Sequence, residues 1–186
     1  MASRALYTIG HSTRTAAALI DLLRAHGIET LVDVRTIPRS RHNPQFNRDA
    51  LAEALTQAGI EYTHRPALGG LRHARKDSVN LGWRNASFRG YADYMQTPEF
   101  ARALAELETL ADARPTAIMC AEAVPWRCHR GLIADALTVR GRPVLHIQSA
   151  SAPTPHQPTP FMRTVEGRPV YPLPDQPQRR SRSPRG

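Results

Sequence analysis

The sequence predicts an α/β protein, an open, mostly parallel sheet of about five strands with helices on both faces, followed by a disordered C-terminal tail. Short apolar runs alternate with segments whose apolar residues recur at helical spacing, the pattern of a parallel sheet covered on both sides. The length, 186 residues, suits one such domain with a sizeable core. Near Gln148 the composition shifts, and nine of the sixteen prolines lie beyond Ser151. These observations divide the chain into a single domain over 1–148 and a Pro/Arg-rich tail over 149–186.

Each element has its own signal. Ala5–Gly10 is a short apolar strand. His11, Ser12 and Thr13 then supply helix-start residues, and Leu19, Ile20, Leu22 and Leu23 mark one helical face up to Gly27. Thr30–Arg35 is a second strand, followed by a long basic loop containing Arg39, Arg41 and Arg48. A helix from Asp49 to Gln57 stops before Gly59, and Glu61–His64 forms a third strand. Residues 65–87, with Gly69-Gly70 and several arginines, are the least regular part of the body. A short helix lies around Tyr91. Pro98 opens the next helix, where Phe100, Leu104, Leu107 and Leu110 form a stripe. Thr116–Cys120 is the fourth strand, Cys128–Arg140 a helix and Pro143–Ile147 the fifth strand. Beyond it, only the patch from Phe161 to Leu173 carries enough apolar residues to dock on the body.

Bulk properties exclude some classes. No run of eighteen apolar residues is present, so no membrane span is expected. A strand begins almost at the N-terminus with no secretory pattern before it, and two cysteines in such a chain point to reduced thiols; the expected compartment is the cytoplasm. The formal charge is +9, carried almost wholly by arginine, with Lys76 the only lysine. Arg179, Arg180, Arg182 and Arg185 account for four of these charges, leaving 9 − 4 = +5 on the rest. That balance suits a phosphorylated ligand or nucleic acid, although a GC-rich genome produces the same arginine bias.

The polar residues converge at one edge. His11 and Ser12 follow the first strand, Asp33 and Arg35 close the second, His64 and Arg65 the third, and Cys120 and Glu122 the fourth. Ligands of open parallel sheets bind outside the carboxyl ends of the strands. Gly10-His11-Ser12 has the composition of a minimal anion-binding turn, with Ser12 or Thr13 as helix cap. In TAIMCAEAVPWRCHR a thiol, a carboxylate, an imidazole and a guanidinium crowd the loop between strand and helix. Cys120, beside a helix start and near arginines, is expected to have a depressed pKa; the alternative is a buried core thiol. Glu122 and His129 are candidate proton carriers, and Arg35 and Arg130 candidate anion binders. Cys120, Cys128, His129 and His11 are zinc ligands by type, and a metal-dependent protein is a further alternative, but no metal site is expected. The C-x7-C-H spacing fits no common zinc pattern, and Cys128 and His129 would diverge on a helix. A reversible Cys120–Cys128 disulfide is a further alternative.

The motifs YTIGHST, LVDVRTIPRSRHNPQF, LGG at 68–70, GYADYM and CAEAVPWRCHR together resemble the prokaryotic domain-of-unknown-function family numbered 488, from about Tyr7 to Ile147. The resemblance implies site residues Gly10, His11, Ser12, Asp33, Arg35, Cys120, Glu122, Cys128, His129 and Arg130, and supplies no reaction. A looser likeness to the rhodanese layout fails at its anion-binding loop, where Pro125 and Trp126 interrupt the run of N–H groups. The expected function is therefore a small enzyme or ligand-binding protein for a phosphorylated or nucleotide-like ligand, without a cofactor. The alternative is a nucleic-acid-binding or repair-associated module using the basic loops and tail, with Tyr91, Tyr94 and Trp83 as candidate base-stacking residues.

Overall fold

The structure, a computed structural model, describes residues 3–174. Five parallel strands form the body of the sheet: β1 (Leu6–Gly10), β2 (Thr30–Asp33), β3 (Glu61–His64), β4 (Thr116–Cys120) and β5 (Val144–Ile147). A two-residue strand, β6 (Thr154–Pro155), adds antiparallel to β5, giving the order β3-β2-β4-β1-β5-β6. The helices are α1 (Ala16–Ala25), α2 (Arg48–Gln57), α3 (Ala86–Tyr94), α4 (Pro98–Ala113) and α5 (Arg130–Val139).

Neighbouring strand residues point to opposite faces, and this period of two divides the core. Ile9, Leu31, Ala117, Met119 and Ile147 pack under α1 and α2 with Leu19, Leu23, Leu51 and Leu55. Leu6, Val32, Ile118 and Val144 face the other way, under α3, α4 and α5 with Tyr91, Leu104, Ile133 and Leu137. Thr15, not Ser12 or Thr13, caps α1, its hydroxyl accepting from Ala18 N–H. Thr97 does the same for α4, with Pro98 in the first turn. Gly27 and Gly59 follow α1 and α2 at φ +64° and +74°, the left-handed backbone that ends a helix.

The topology positions the site. From β1 the chain passes over the place of β4 to reach β2, whereas from β4 it crosses back over β1 to reach β5. The connections therefore leave adjacent strands β1 and β4 in opposite directions. Such a reversal opens a crevice at the carboxyl ends of the two strands.

The body does not stop at residue 148. Residues 149–174, expected to belong to the tail, pack back on the sheet and α5. After β6 comes a hairpin of β7 (Arg163–Val165) and β8 (Arg168–Val170), turned by Glu166 and Gly167 at positive φ. Tyr171 is fully buried beside Trp83 and Phe161, as the apolar patch 161–173 foretold. The main hold is polar. The Asp135 carboxylate of α5, wholly buried, accepts from His156 Nε2, Thr159 N–H, Thr159 Oγ1 and Tyr171 Oη at 2.7–3.1 Å. A composition poor in apolar residues hides an anchor of this kind. The tail arginines Arg179, Arg180, Arg182 and Arg185 lie outside the described residues.

Candidate functional site

A cleft of about 540 Å³ opens at the carboxyl ends of β1, β2 and β4. His11, Ser12, Arg35, Cys120 and His129, among the candidates, line it; Thr13, Thr36, Arg39, Ser40, Asn43, Gly70 and Leu71, with Ile37 and Ala121, complete the wall. No carboxylate lines the cleft, while two guanidinium groups and two imidazoles do.

His11 is buried and stacks on Phe46 at 4.2 Å between ring centres. Its Nδ1–H donates to the Ser12 carbonyl at 2.8 Å, which leaves the Nε2 lone pair facing Arg35 Nη1 at 3.4 Å. Burial above all, with the Arg35 charge in support, holds His11 below its usual pKa of 6.5, against the opposing Ser12 carbonyl. The ring is thus a neutral base at physiological pH.

Arg35 and Asp33 form one buried unit. Asp33, fully buried, accepts from Arg35 N–H, Nε and Nη2 and from Tyr62 Oη, the last at 2.7 Å. Arg35 Nη2 also donates to the Phe46 carbonyl. Asp33 therefore does not reach the cleft; it aims Arg35, whose charge it largely neutralises. The unneutralised cation at the rim is Arg39, exposed and without an acid partner among the described residues.

Three candidates do not behave as the sequence suggests. Gly10 lies below the cleft wall: a Cβ there would fall 1.9 Å from the Glu122 carbonyl oxygen, so glycine admits the Cys120 loop and not a ligand. The following turn is no open anion cradle, since His11 and Ser12 N–H donate to the carbonyls of Cys120 and Ala121. Glu122 is exposed and does not line the cleft; its carboxylate accepts from Ala123 N–H at 3.3 Å and its backbone carbonyl from Arg130. Arg130 in turn is 1% exposed, donates to Glu122 O and Thr8 Oγ1, and leaves Nε without a partner among the described residues. It is a buried cation behind the site.

The thiols also reverse the expectation. Cys120 is pushed up to about 12, by its hydrogen bond to Cys128 first and by burial second. Cys128 is pushed down to about 6, through the same hydrogen bond, the Arg130 charge and the Arg130 N–H, with burial opposing. The acidic thiol is Cys128: beyond the hydrogen bond from Cys120, α5 begins at Arg130, whose N–H approaches Cys128 Sγ at 3.5 Å and whose charge favours the thiolate.

Cys128 and His129 also converge, contrary to the divergence expected on a helix. Cys128 is extended at φ −139° and ψ 150°, ahead of the helix, and His129 is the residue that caps it. His129 Nε2–H donates to the Val34 carbonyl at 2.9 Å. Its Nδ1 faces Cys128 Sγ at 3.6 Å and Cys120 Sγ at 4.0 Å.

The sequence marked the basic loop that holds Arg39, but did not mark Thr36, Ser40, Asn43, Gly70 or Leu71 as part of the cleft. The Gly69-Gly70 pair was the available signal. A Cβ on Gly69 would lie 2.5 Å from Thr36 Oγ1, so this loop needs glycine to reach the cleft. Tyr91, Tyr94 and Trp83, the candidate base-stacking residues, belong to the core: Tyr91 and Tyr94 are 1% and 8% exposed, and Trp83 packs on Phe88, Phe161 and Tyr171.

Fold and cleft define an open, doubly wound α/β protein with a cationic, carboxylate-free crevice at its topological switch point. The chain belongs to the family of the domain of unknown function DUF488, whose model matches residues 15–137. No curated protein and no solved structure matches it. Among the described residues, no helix is long and apolar enough to cross a membrane.

Proposed function

We infer that the chain binds a phosphorylated, nucleotide-like ligand in the switch-point cleft, as a small enzyme or ligand-binding protein. The lining carries this reading: two arginines, two histidines, four hydroxyl residues in Ser12, Thr13, Thr36 and Ser40, and no acid. The volume falls in the range of small-molecule sites, about 300–1,000 Å³. Arg39 at the rim would meet the phosphate, with Arg35 Nη1 deeper in the cleft. Thr36 Oγ1 is buried against Gly69 and has no partner among the described residues. His11, neutral and with Nε2 facing inward, would accept a proton or a hydrogen bond from the bound molecule. Glu122 and Arg130 have no part in it.

Calorimetric titration with nucleoside monophosphates and with inorganic phosphate tests the reading. Saturable binding of a nucleoside monophosphate is expected, weakened about tenfold by Arg39→Ala, the loss of one charge-assisted contact of about 1.5 kcal/mol. Absence of saturable binding by any of these probes at millimolar concentration contradicts it.

One observation supports a second reading. Arg39, at the cleft, and Arg41 lie exposed on the loop before α2 and Arg48 lies exposed at its first position, where they would follow the phosphates of a nucleic-acid strand. In that case single-stranded oligonucleotides bind in preference to mononucleotides, with affinity falling steeply as salt rises.

A further inference from the structure

We propose that Cys120, Cys128 and His129 form a three-ligand site for a thiophilic divalent metal ion of the zinc class, with its fourth position open to the cleft. The observation is their convergence: Sγ of Cys120, Sγ of Cys128 and one ring nitrogen of His129 all lie within 4.8 Å of one another. A tetrahedral zinc ion, with bonds of about 2.3 Å to sulfur and about 2.0 Å to nitrogen, separates such donors by about 3.6 Å. Cys128 Sγ stands 3.6 Å from His129 Nδ1, and Cys120 Sγ, at 4.0 Å, needs to close by only a few tenths of an ångström.

The surroundings fit the same role. His129 spends its Nε2–H on the Val34 carbonyl, which fixes the ring and turns the Nδ1 lone pair toward the sulfurs. Metal-bound histidines are oriented in this way by a carbonyl or carboxylate on the far nitrogen. Arg130 N–H approaches Cys128 Sγ at 3.5 Å, the contact that commonly supports a coordinated thiolate. Tyr91 packs its ring against His129 at 5.1 Å and so restricts it further. Gly70 faces Nδ1, where a Cβ would sit 3.3 Å away, so the absent side chain leaves room beside the donors. Cys120 and His129 both line the cleft. Three protein donors plus an open position is the arrangement of reactive zinc sites, and two thiolates with one imidazole select zinc over magnesium or calcium.

The sequence concealed this because the spacing matches no zinc motif. The three donors come from a strand end and from the turn before α5, and only the extended backbone at Cys128 brings them together.

The proposal does not depend on the ligand of the cleft, and its test uses the metal alone. The full chain, reduced and stripped of metal under anaerobic conditions, is titrated with Co²⁺ and then with Zn²⁺. One equivalent of Co²⁺ is expected to give the thiolate-to-cobalt charge-transfer band and the intense visible bands of a tetrahedral site, all abolished by one equivalent of Zn²⁺. Cys120→Ser and Cys128→Ser should each lower the charge-transfer intensity by about half. His129→Gln should weaken zinc binding by at least the 10- to 100-fold typical of losing even an outer partner. Should a variant fail to fold by circular dichroism, alkylation of the wild type decides: bound Zn²⁺ must protect both thiols from iodoacetamide. A reduced wild type that shows no cobalt–thiolate band, or whose thiols alkylate equally with and without Zn²⁺, overturns the proposal. So does a chain whose thiols only form a Cys120–Cys128 disulfide and bind no metal after reduction.

Discussion

At the scale of single residues, one shared proton decides the chemistry of the thiols. The Cys120 S–H donates to the Cys128 sulfur, so Cys120 holds its proton to about 12 while Cys128 releases its own near 6. Two coupled groups lose their protons as a pair, and the first loss falls on the sulfur nearest the Arg130 charge. In the reduced, metal-free chain, thiolate absorbance in the ultraviolet should therefore rise with a midpoint near 6 and an amplitude of one sulfur. Cys128→Ser should remove that step. Cys120→Ala should move it upward, because the donated hydrogen bond is lost. A single rise near the ordinary thiol value of about 8.5 in the wild type would contradict the assignment. The type of residue at this site was legible in the sequence, since a strand-end cysteine and a Cys-His-Arg helix start stand out. Which thiol is acidic was not. That depends on where the helix begins, two residues later than the motif suggests, and on a contact between side chains that no spacing rule records.

At the scale of elements, α5, β1, β5 and the segment after β5 are joined by one directed chain of hydrogen bonds. Arg130 Nη1 donates to Thr8 Oγ1, which donates to His146 Nδ1; His146 Nε2–H donates to His156 Nδ1, and His156 Nε2–H to Asp135. Every donor points toward the buried carboxylate. Burial first, then His156 and Arg130, push His146 down to about 4. An unfolded histidine takes up its proton near 6.5, so between these values the unfolded chain binds more protons than the folded one. Stability is then fully present above about pH 6.5 and falls as pH drops toward 4, by on the order of 3 kcal/mol in total. Urea denaturation at a series of pH values should show this loss, and His146→Gln should flatten it. A wild-type profile level across that range would exclude His146 as the cause. The five parallel strands and the helices were legible as apolar runs and helical stripes, which report burial directly. The docking of the apolar patch 161–173 was legible too; β6 and residues 156–160 were not, because pairing with β5 and hydrogen bonds to one aspartate hold them and their composition resembles that of a disordered chain.

At the scale of the whole molecule, two adjacent strands with oppositely directed connections create the cleft, and the segment 149–174 closes the opposite side of α5. All four hydrogen bonds described for the Asp135 carboxylate come from His156, Thr159 and Tyr171. A chain ended after Gln148 keeps every parallel strand yet leaves a buried charge with none of these donors, a loss of about 3–5 kcal/mol. It should melt far below the full chain or fail to fold, and Asp135→Leu in the shortened chain should recover part of the loss. If the shortened chain matches the full one in denaturant midpoint, the segment is no part of the domain. The dependence has a consequence in time. A nascent chain leaves the ribosome N-terminus first, so Asp135 emerges before any of the groups that satisfy it. All five parallel strands are exposed to solvent and ready to pair while the centre of α5 still lacks its counterpart. Completion of the native state therefore waits for Tyr171, and until that residue is out the newborn molecule is an assembled sheet with an open flank, at its most vulnerable to proteases and to association with its neighbours.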